Sequence, residues 1–292
     1  MGCTSSKSHA PTGTPLPQAV VRAVPASEMP QTFVASDGTK FDSRAAWRKH
    51  EFATRYTFKG QRGTAEHRLQ LMRRPGEIDG QPFNLEDLEH CNVRLLDVVE
   101  QVQCDALKRC TVVLGACRAS VFVRECEDCT FHVASAQLRT RDCKRCTFYL
   151  LAGSAPAIEL SSDMLFAPHS VNYPHMAEHL QAAGLSLSAN QWRAVFDFNA
   201  PNGGEQGEHA AGAHWGVVPD SERASGKLDI SLADIEAEAA TAVATQTHAS
   251  TGTSTTSVTA APAQVHALPP TTPSPTCQQE HRQEEKPAQG QG

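Results

Sequence analysis

From residue 83 onward, apolar side chains recur at every second position in short runs. The runs FNLE, VQCD, VFVR and LRTR put Phe83, Val102, Val121 and Leu138 in one column and Leu85, Cys104, Val123 and Thr140 in a second. Ile158 and Leu160 extend the two columns. A period of two marks a strand with one buried face. A second strand per repeat is marked by the pairs Val93/Leu95, Val112/Leu114, Phe131/Val133 and Phe148/Leu150. Between the two strands stand LEHC, LKRC, CEDC and CKRC, whose last cysteines, Cys91, Cys110, Cys129 and Cys146, follow at steps of 19, 19 and 17 residues. A period near 19 with two or three short strands predicts one coil of a stack, each coil about 4.8 Å from the last. The fold class expected is all-β: a right-handed parallel β-helix with a C-terminal capping strand and helix and flexible tails.

The same repeat bears on the cysteines. CEDC and CKRC alone have the outline of a four-thiolate zinc site. Three positions before the repeated cysteine, however, the successive repeats hold Leu88, Leu107, Cys126 and Cys143. Leucine cannot replace a metal ligand but can replace a small buried hydrophobe. The thiols are therefore expected as core ladders, with no metal site. A Cys129/His132 hydrolase pair is disfavoured because the repeat turns Cys129 inward. His209 and His214, in a glycine-rich stretch, lack an evident third ligand.

Outward positions in a stack become neighbours although far apart in sequence. The columns predict Phe122, Arg139 and Glu159 in one row, and Arg124, Arg141 and Ser161 in the next. Glu159 would then orient the Arg139 guanidinium through a paired hydrogen bond. An ordinary solvated ion pair is the competing reading of the same pattern.

Composition divides the chain into a flexible tether at 1–32, a segment of unassigned role at 33–72, the β-helix at 73–220 and a low-complexity tail at 221–292. Helices are expected near Ser43 to Phe52, from Pro174 to Gly184 as a cap on the open end of the stack, and near Leu232 to Val243. A net charge of −6 and a pI near 6.1 disfavour a nucleic-acid partner. The first thirty residues lack the apolar segment of a secretory signal, no run is long enough to span a bilayer, and the thiols read as reduced and cytosolic. MGCTSSK fits N-terminal acylation, with myristate on Gly2 and palmitate on Cys3, so membrane attachment is expected. No Walker or dinucleotide motif occurs.

The segments RPGEIDGQPFNLEDLEHCNV, CTVVLGACRASVFVREC, ASAQLRTRDC, APAIELSSDMLFAP and VNYPHMAEHLQAAGL together resemble the tubulin-binding cofactor C domain family, in its retinitis pigmentosa 2 branch. The resemblance covers roughly Tyr56 to Asp220. It implies a GTPase-activating protein that is no enzyme with a substrate site of its own. GTP and magnesium would sit on the partner, an Arf-like small GTPase in its GTP form, or tubulin in the cofactor C branch. The family motif Q-Q-[FL]-R corresponds to AQLR and makes Arg139 the arginine finger, with Gln137 as the second glutamine. Glu159 matches a supporting acidic residue and Phe198 an aromatic of the binding surface. Phe122 and Arg141 complete the candidate GTPase-binding set. The first glutamine of the motif is Ala136 here, which keeps open a non-catalytic effector or adaptor. The implied setting is trafficking of lipidated proteins at the cytoplasmic face of the plasma membrane and the base of a cilium or flagellum, the basal body. The tail stands where some relatives carry nucleoside-diphosphate-kinase-like sequence, as in a protist-like homologue.

Overall fold

The alternating runs form parallel strands stacked into a β-solenoid. The computed structural model describes residues 32–200 and 214–238; Gly2, Cys3, the tether, His209 and the chain after 238 lie outside the described residues. A hairpin of β1 (Phe33–Val34) and β2 (Lys40–Phe41) leads into helix α1 (Arg44–Arg55). The stack begins with β3 (Thr57–Lys59) and β4 (Leu69–Arg73) and continues with β5 (Phe83–Glu86), β6 (Cys91–Leu95) and β7 (Val102–Asp105). β8 (Thr111–Arg124) and β9 (Thr130–Arg141) are long enough to run through both walls. β10 (Thr147–Ala152), β11 (Ala157–Glu159) and β12 (Met164–Pro168) complete the regular coils. After them come β13 (Val171–Asn172), α2 (Met176–Ala182), β14 (Phe196–Asp197), β15 (Trp215–Val217), α3 (Asp220–Arg223) and β16 (Leu228–Asp229).

One wall runs β3-β5-β7 and then through the second halves of β8 and β9 to β11 and β14. The other runs β4-β6, through the first halves of β8 and β9, to β10, β12 and β15, and every pairing in both is parallel. The expected inner columns fill the space between them. Val93, Val112, Phe131, Phe148 and Phe166 stand in register. The Phe131 and Phe148 rings stack at 4.9 Å, and Phe148 stacks on Phe166 at 5.4 Å. Parallel in-register coils bring identical side chains face to face, so a column of phenylalanines stacks without rearrangement.

The walls meet at a corner of constant length. Glu89, Lys108, Glu127, Lys144 and Ser162 bridge from coil to coil there. Each corner has two left-handed residues three apart: Asp87/His90, Ala106/Arg109, Glu125/Asp128, Asp142/Arg145 and Leu160/Asp163, all with φ between 48° and 56°. The residue between them that points inward is Leu88, Leu107, Cys126, Cys143 or Ser161, and the residue after them is Cys91, Cys110, Cys129, Cys146 or Met164, all buried. A small thiol fits this corner and can donate to carbonyls, as Cys129 Sγ does to Leu107 O at 3.4 Å and Cys146 Sγ to Cys126 O at 3.6 Å. The eight cysteines among the described residues are buried and unbridged. The ladder, not the paired Cys-x-x-Cys outline, accounts for their spacing.

The short step in the repeat has a structural cause. Thr111 pairs with Thr130, 19 residues on, but Ser120 pairs with Gln137, 17 on, because β8 bulges twice, after Val113 and after Cys117. Gly115 lies in the first bulge, where an added Cβ would stand 2.3 Å from the Asp97 carbonyl oxygen. Only glycine permits that approach.

Both ends and one flank are covered. Phe52 and Tyr56 of the N-terminal unit pack on the first coil, giving the otherwise unassigned segment a capping role. Ser43 is the N-cap of α1, without a side-chain bond. α2 starts at Met176 rather than Pro174 and does not close the open end: Leu180 packs on the side wall against Ala116, Ala134 and Leu151. The two small outward side chains, Ala116 and Ala134, let a helix approach the sheet closely. The far end is closed instead by Val195 and Trp215, with Trp192 against them.

Residues 221–238, expected within a disordered tail, are ordered. β16 pairs with β13 in parallel, and Ile230 and Ile235 are buried with Leu96, Val113, Val171 and Tyr173. Gly226 lies so close to the Tyr149 ring that a Cβ would overlap it, and Arg94 meets Glu238 at 2.6 Å. Two isoleucines suffice here because they enter a groove already built by the coils. Residues 232–238 are helical, within the span expected for a helix.

Candidate functional site

The outer face of the first wall gathers the candidate residues. Strand alternation turns Phe122 and Arg124 of β8 and Gln137, Arg139 and Arg141 of β9 outward. The registers Gln103, Phe122, Arg139, Ala157 and Asp105, Arg124, Arg141, Glu159 define two adjacent rows. Phe122, Arg139, Arg141, Glu159 and Phe198 line one hollow of about 190 Å³, with Arg124, Thr140 and Ala157. Gln137 is not in its lining; its Oε1 accepts a hydrogen bond from Ser120 Oγ at 3.0 Å.

One expected contact is replaced. Glu159 falls beside Arg141, not Arg139, and its carboxylate stands 3.9 Å from Arg141 Nη1. Matching Ile158 to Leu138 implies a step of 20, whereas the coil steps by 18 and pairs Ile158 with Thr140. Ser161 moves with it: instead of facing outward beside Arg141 it is buried in the corner, accepting from the Cys143 N–H at 3.1 Å and donating to Glu159 O at 2.8 Å.

The arginines of this face therefore differ in kind. Arg124 is clasped by both carboxylate oxygens of Asp105, at 2.6 and 2.8 Å, which raises its pKa. Arg141 has Asp142 at 3.3 Å and Glu159. Arg139 is exposed and has no carboxylate or hydrogen-bond partner among the described residues. A guanidinium left without a counter-ion in the row beside two paired ones is available to an anion brought by another molecule.

Phe198 is 55 % exposed, and its ring packs edge-on against Phe196 at 4.9 Å. Its backbone N–H donates to Ile158 O at 3.0 Å. Beside it lies a pair that sequence reasoning missed: Asp197, 1 % exposed, accepts from His214 Nδ1 at 2.7 Å. The partners lie on separate strands, across a stretch of chain whose length no repeat predicts. His214 is thus an acid's hydrogen-bond partner, and among the described residues no group of three or more His, Cys, Asp or Glu is arranged to hold a metal ion.

Two other places have less to offer. A hollow of about 410 Å³, lined by Arg145, Asp163, Met164, His214 and Trp215 among others, shares no lining residue with the Arg139 hollow. Cys129, just before β9, and His132 within it point to opposite sides of the wall. Cys129 is in the core, its thiol raised by hydrogen bonding to neighbouring thiols and by burial, while His132 stacks on Tyr149 at 4.7 Å outside it. They form no dyad.

Residues 80–198 match the family model described as tubulin binding cofactor C. Tubulin-folding cofactor C of Arabidopsis thaliana is 34 % identical over 49 % of this chain and 40 % of its own length. Tubulin-specific chaperone C of Mus musculus is 31 % identical over 52 % of this chain and 43 % of its own. Protein XRP2 of Danio rerio is 36 % identical over 51 % of this chain and 37 % of its own. The chain thus aligns with less than half the length of each of these relatives. A solved structure, Tubulin Binding Cofactor C from Leishmania major, aligns with 59 % of this chain and 95 % of its own at 20 % identity and a TM-score of 0.40.

Proposed function

We propose that this chain, whose residues 80–198 match the family model described as tubulin binding cofactor C, activates GTP hydrolysis on an Arf-like small GTPase by inserting Arg139 in trans. The observation that supports this most directly is the exposed Arg139, unpaired among the described residues, at the lip of the hollow formed with Phe122, Glu159 and Phe198. Phosphoryl transfer to water spreads negative charge over the γ-phosphate and leaving oxygens. A guanidinium placed there by a partner accelerates the reaction by about 10³ to 10⁵. The planar fork serves two oxygens at once, which lysine does not. Arg124 and Arg141, paired with Asp105, Asp142 and Glu159, give the rim a polar, charge-balanced edge, and the aromatic pair gives it an apolar one. GTP and magnesium belong to the partner.

Ala136 favours a second reading, in which the same face binds the GTP form without accelerating hydrolysis. The names of the cofactor C relatives favour a third, in which tubulin is the GTPase. The deciding experiment is single-turnover GTP hydrolysis by a panel of Arf-like GTPases and by tubulin, with wild type and Arg139→Ala in parallel. Acceleration of an Arf-like member that depends on Arg139 supports the proposal. Binding without acceleration assigns the effector role, and acceleration confined to tubulin assigns the third.

Around this domain we place an acylated tether at 1–32, with myristate on Gly2 and palmitate on Cys3. One myristoyl chain binds membranes with only about 10⁴ M⁻¹, so two acyl chains would hold the protein at a membrane surface. The cytoplasmic face of the plasma membrane and the base of a cilium or flagellum are the proposed sites of action, with lipidated membrane proteins as the cargo of the pathway served.

A further inference from the structure

Large apolar side chains that stay exposed are few among the described residues: Val34, Leu160, Leu187, Phe198 and Leu232. Leu160 and Phe198 fall together beside the Arg139 hollow. Leu160 is the more unusual. It occupies the first left-handed position of its corner, φ 48°, where the other coils have Asp87, Ala106, Glu125 and Asp142. Aspartate tolerates that backbone, whereas a branched apolar residue is strained there. At 50 % exposure Leu160 recovers little through burial. Packing among the described residues does not account for it, and strain at an exposed position points to use by another molecule.

A single hydrogen-bonded chain fixes the two side chains relative to each other. The Leu160 N–H donates to Asn199 Oδ1 at 2.6 Å, and the Asn199 N–H donates to Asp197 Oδ1 at 2.9 Å. Asp197 Oδ2 is held by His214 Nδ1 at 2.7 Å, and the Phe198 N–H is held by Ile158 O at 3.0 Å. We propose that Leu160 and Phe198 form the apolar half of a docking surface for the GTP-loaded GTPase, their spacing set by Asn199, Asp197 and His214. The partner surface that fits is apolar beside an anionic group, since the other half of the face presents the Arg139 guanidinium, while Arg124 and Arg141 are paired with Asp105, Asp142 and Glu159. This inference rests on the GTPase-binding reading of the face. Asn199, Asp197 and His214 act as positioning residues.

The test measures two quantities on the full chain. Affinity is measured for Arf-like GTPases loaded with a non-hydrolysable GTP analogue, and the single-turnover rate is measured at saturation. Leu160→Asn removes the apolar contact and suits the left-handed backbone. Affinity should fall about five- to tenfold, the saturated rate should stay at wild type, and the melting temperature should rise. Opposite movements of affinity and stability exclude simple damage to the fold. His214→Ala should lower affinity, and His214→Asn, whose amide nitrogen replaces Nδ1, should restore it. Wild-type affinity in both Leu160→Asn and Phe198→Ala would overturn the inference while leaving the finger reading intact. Binding without acceleration by the wild type would remove the finger reading and leave this one standing. A wild type that binds no member of the panel overturns both.

Discussion

Arg141 and Glu159 are register partners on adjacent coils, while Arg139, two residues back, stands opposite Ala157. The acid that the pattern assigns to Arg139 is thus spent on its neighbour, and Arg139 is left unneutralised among the described residues. An arginine that must leave its own surface to enter another protein's site is better served by no partner than by a tight one, since breaking a charge-assisted bond costs energy.

Replacing Arg139 should therefore separate binding from acceleration. Arg139→Ala is expected to lower single-turnover GTP hydrolysis by about 10³ or more while changing affinity for the GTP form less than fivefold. Arg139→Lys should recover little of the rate. Glu159→Gln, which leaves Arg141 with Asp142 as its one carboxylate partner among the described residues, should alter affinity rather than the saturated rate. Stopped-flow hydrolysis and calorimetry read these quantities.

Gly115→Ala tests the bulge. The added methyl would meet backbone atoms, the Asp97 carbonyl oxygen at 2.3 Å and its nitrogen at 2.9 Å, rather than a side chain that can swing away. A loss of about 3 kcal/mol is expected, seen as a lower urea midpoint.

Thr140 offers the opposite sign. It stands in the core column between Val123 and Ile158, 3 % exposed, and its hydroxyl has no partner among the described residues. A buried hydroxyl without a partner costs about 1–3 kcal/mol, so Thr140→Val should stabilise the fold by about 1 kcal/mol in the same assay.

Acid should loosen the covered flank. Burial lowers His132 to about 4, with a smaller contribution from His169, and burial lowers His169 to about 4 as well. Both are held neutral in the fold but would take up a proton near pH 6.5 when unfolded. Their contribution is therefore full above pH 6.5 and is lost as pH falls from there to 4, by up to about 3 kcal/mol each. His132→Phe, which keeps the stack on Tyr149, should flatten part of that decline in melting temperature.

Acylation is checked at the first position. Gly2→Ala should release the protein from membranes to the soluble fraction, and Cys3→Ser should weaken retention, since one acyl chain gives only transient attachment. Equal membrane partition of Gly2→Ala and wild type would reject the anchor.

The inner columns and the outward turn of Arg139 were legible because a strand of period two leaves a residue only two faces, and the coil repeat lines those faces up. The last coil was misread where chemistry broke the pattern. Thr140 is a polar residue in an apolar column, and Leu160 is an apolar residue at a turn, so matching by hydrophobicity shifted Ile158 by two places. The left-handed corner, which sets the true step, leaves a weak trace because Asp, Glu, Ala and Leu all occupy its first position. Residues 221–238 lack the apolar content of an independent fold, yet Ile230, Ile235 and Gly226 are enough to seat them on a surface made elsewhere. The Asp197–His214 contact joins residues with no shared repeat and has no local sequence trace.

Through the regular coils from β5 to β12, chain length is tolerated at only one seam. From Asp87/His90 to Leu160/Asp163 the corner keeps the same residue count, while the opposite connection ranges from an uninterrupted strand in β9 to the excursion through α2 that joins β12 to β14. A residue added at the corner would throw every later rung out of phase and swing Arg139 off its face. The same residue added across the seam would lengthen a loop and leave the guanidinium where it stands.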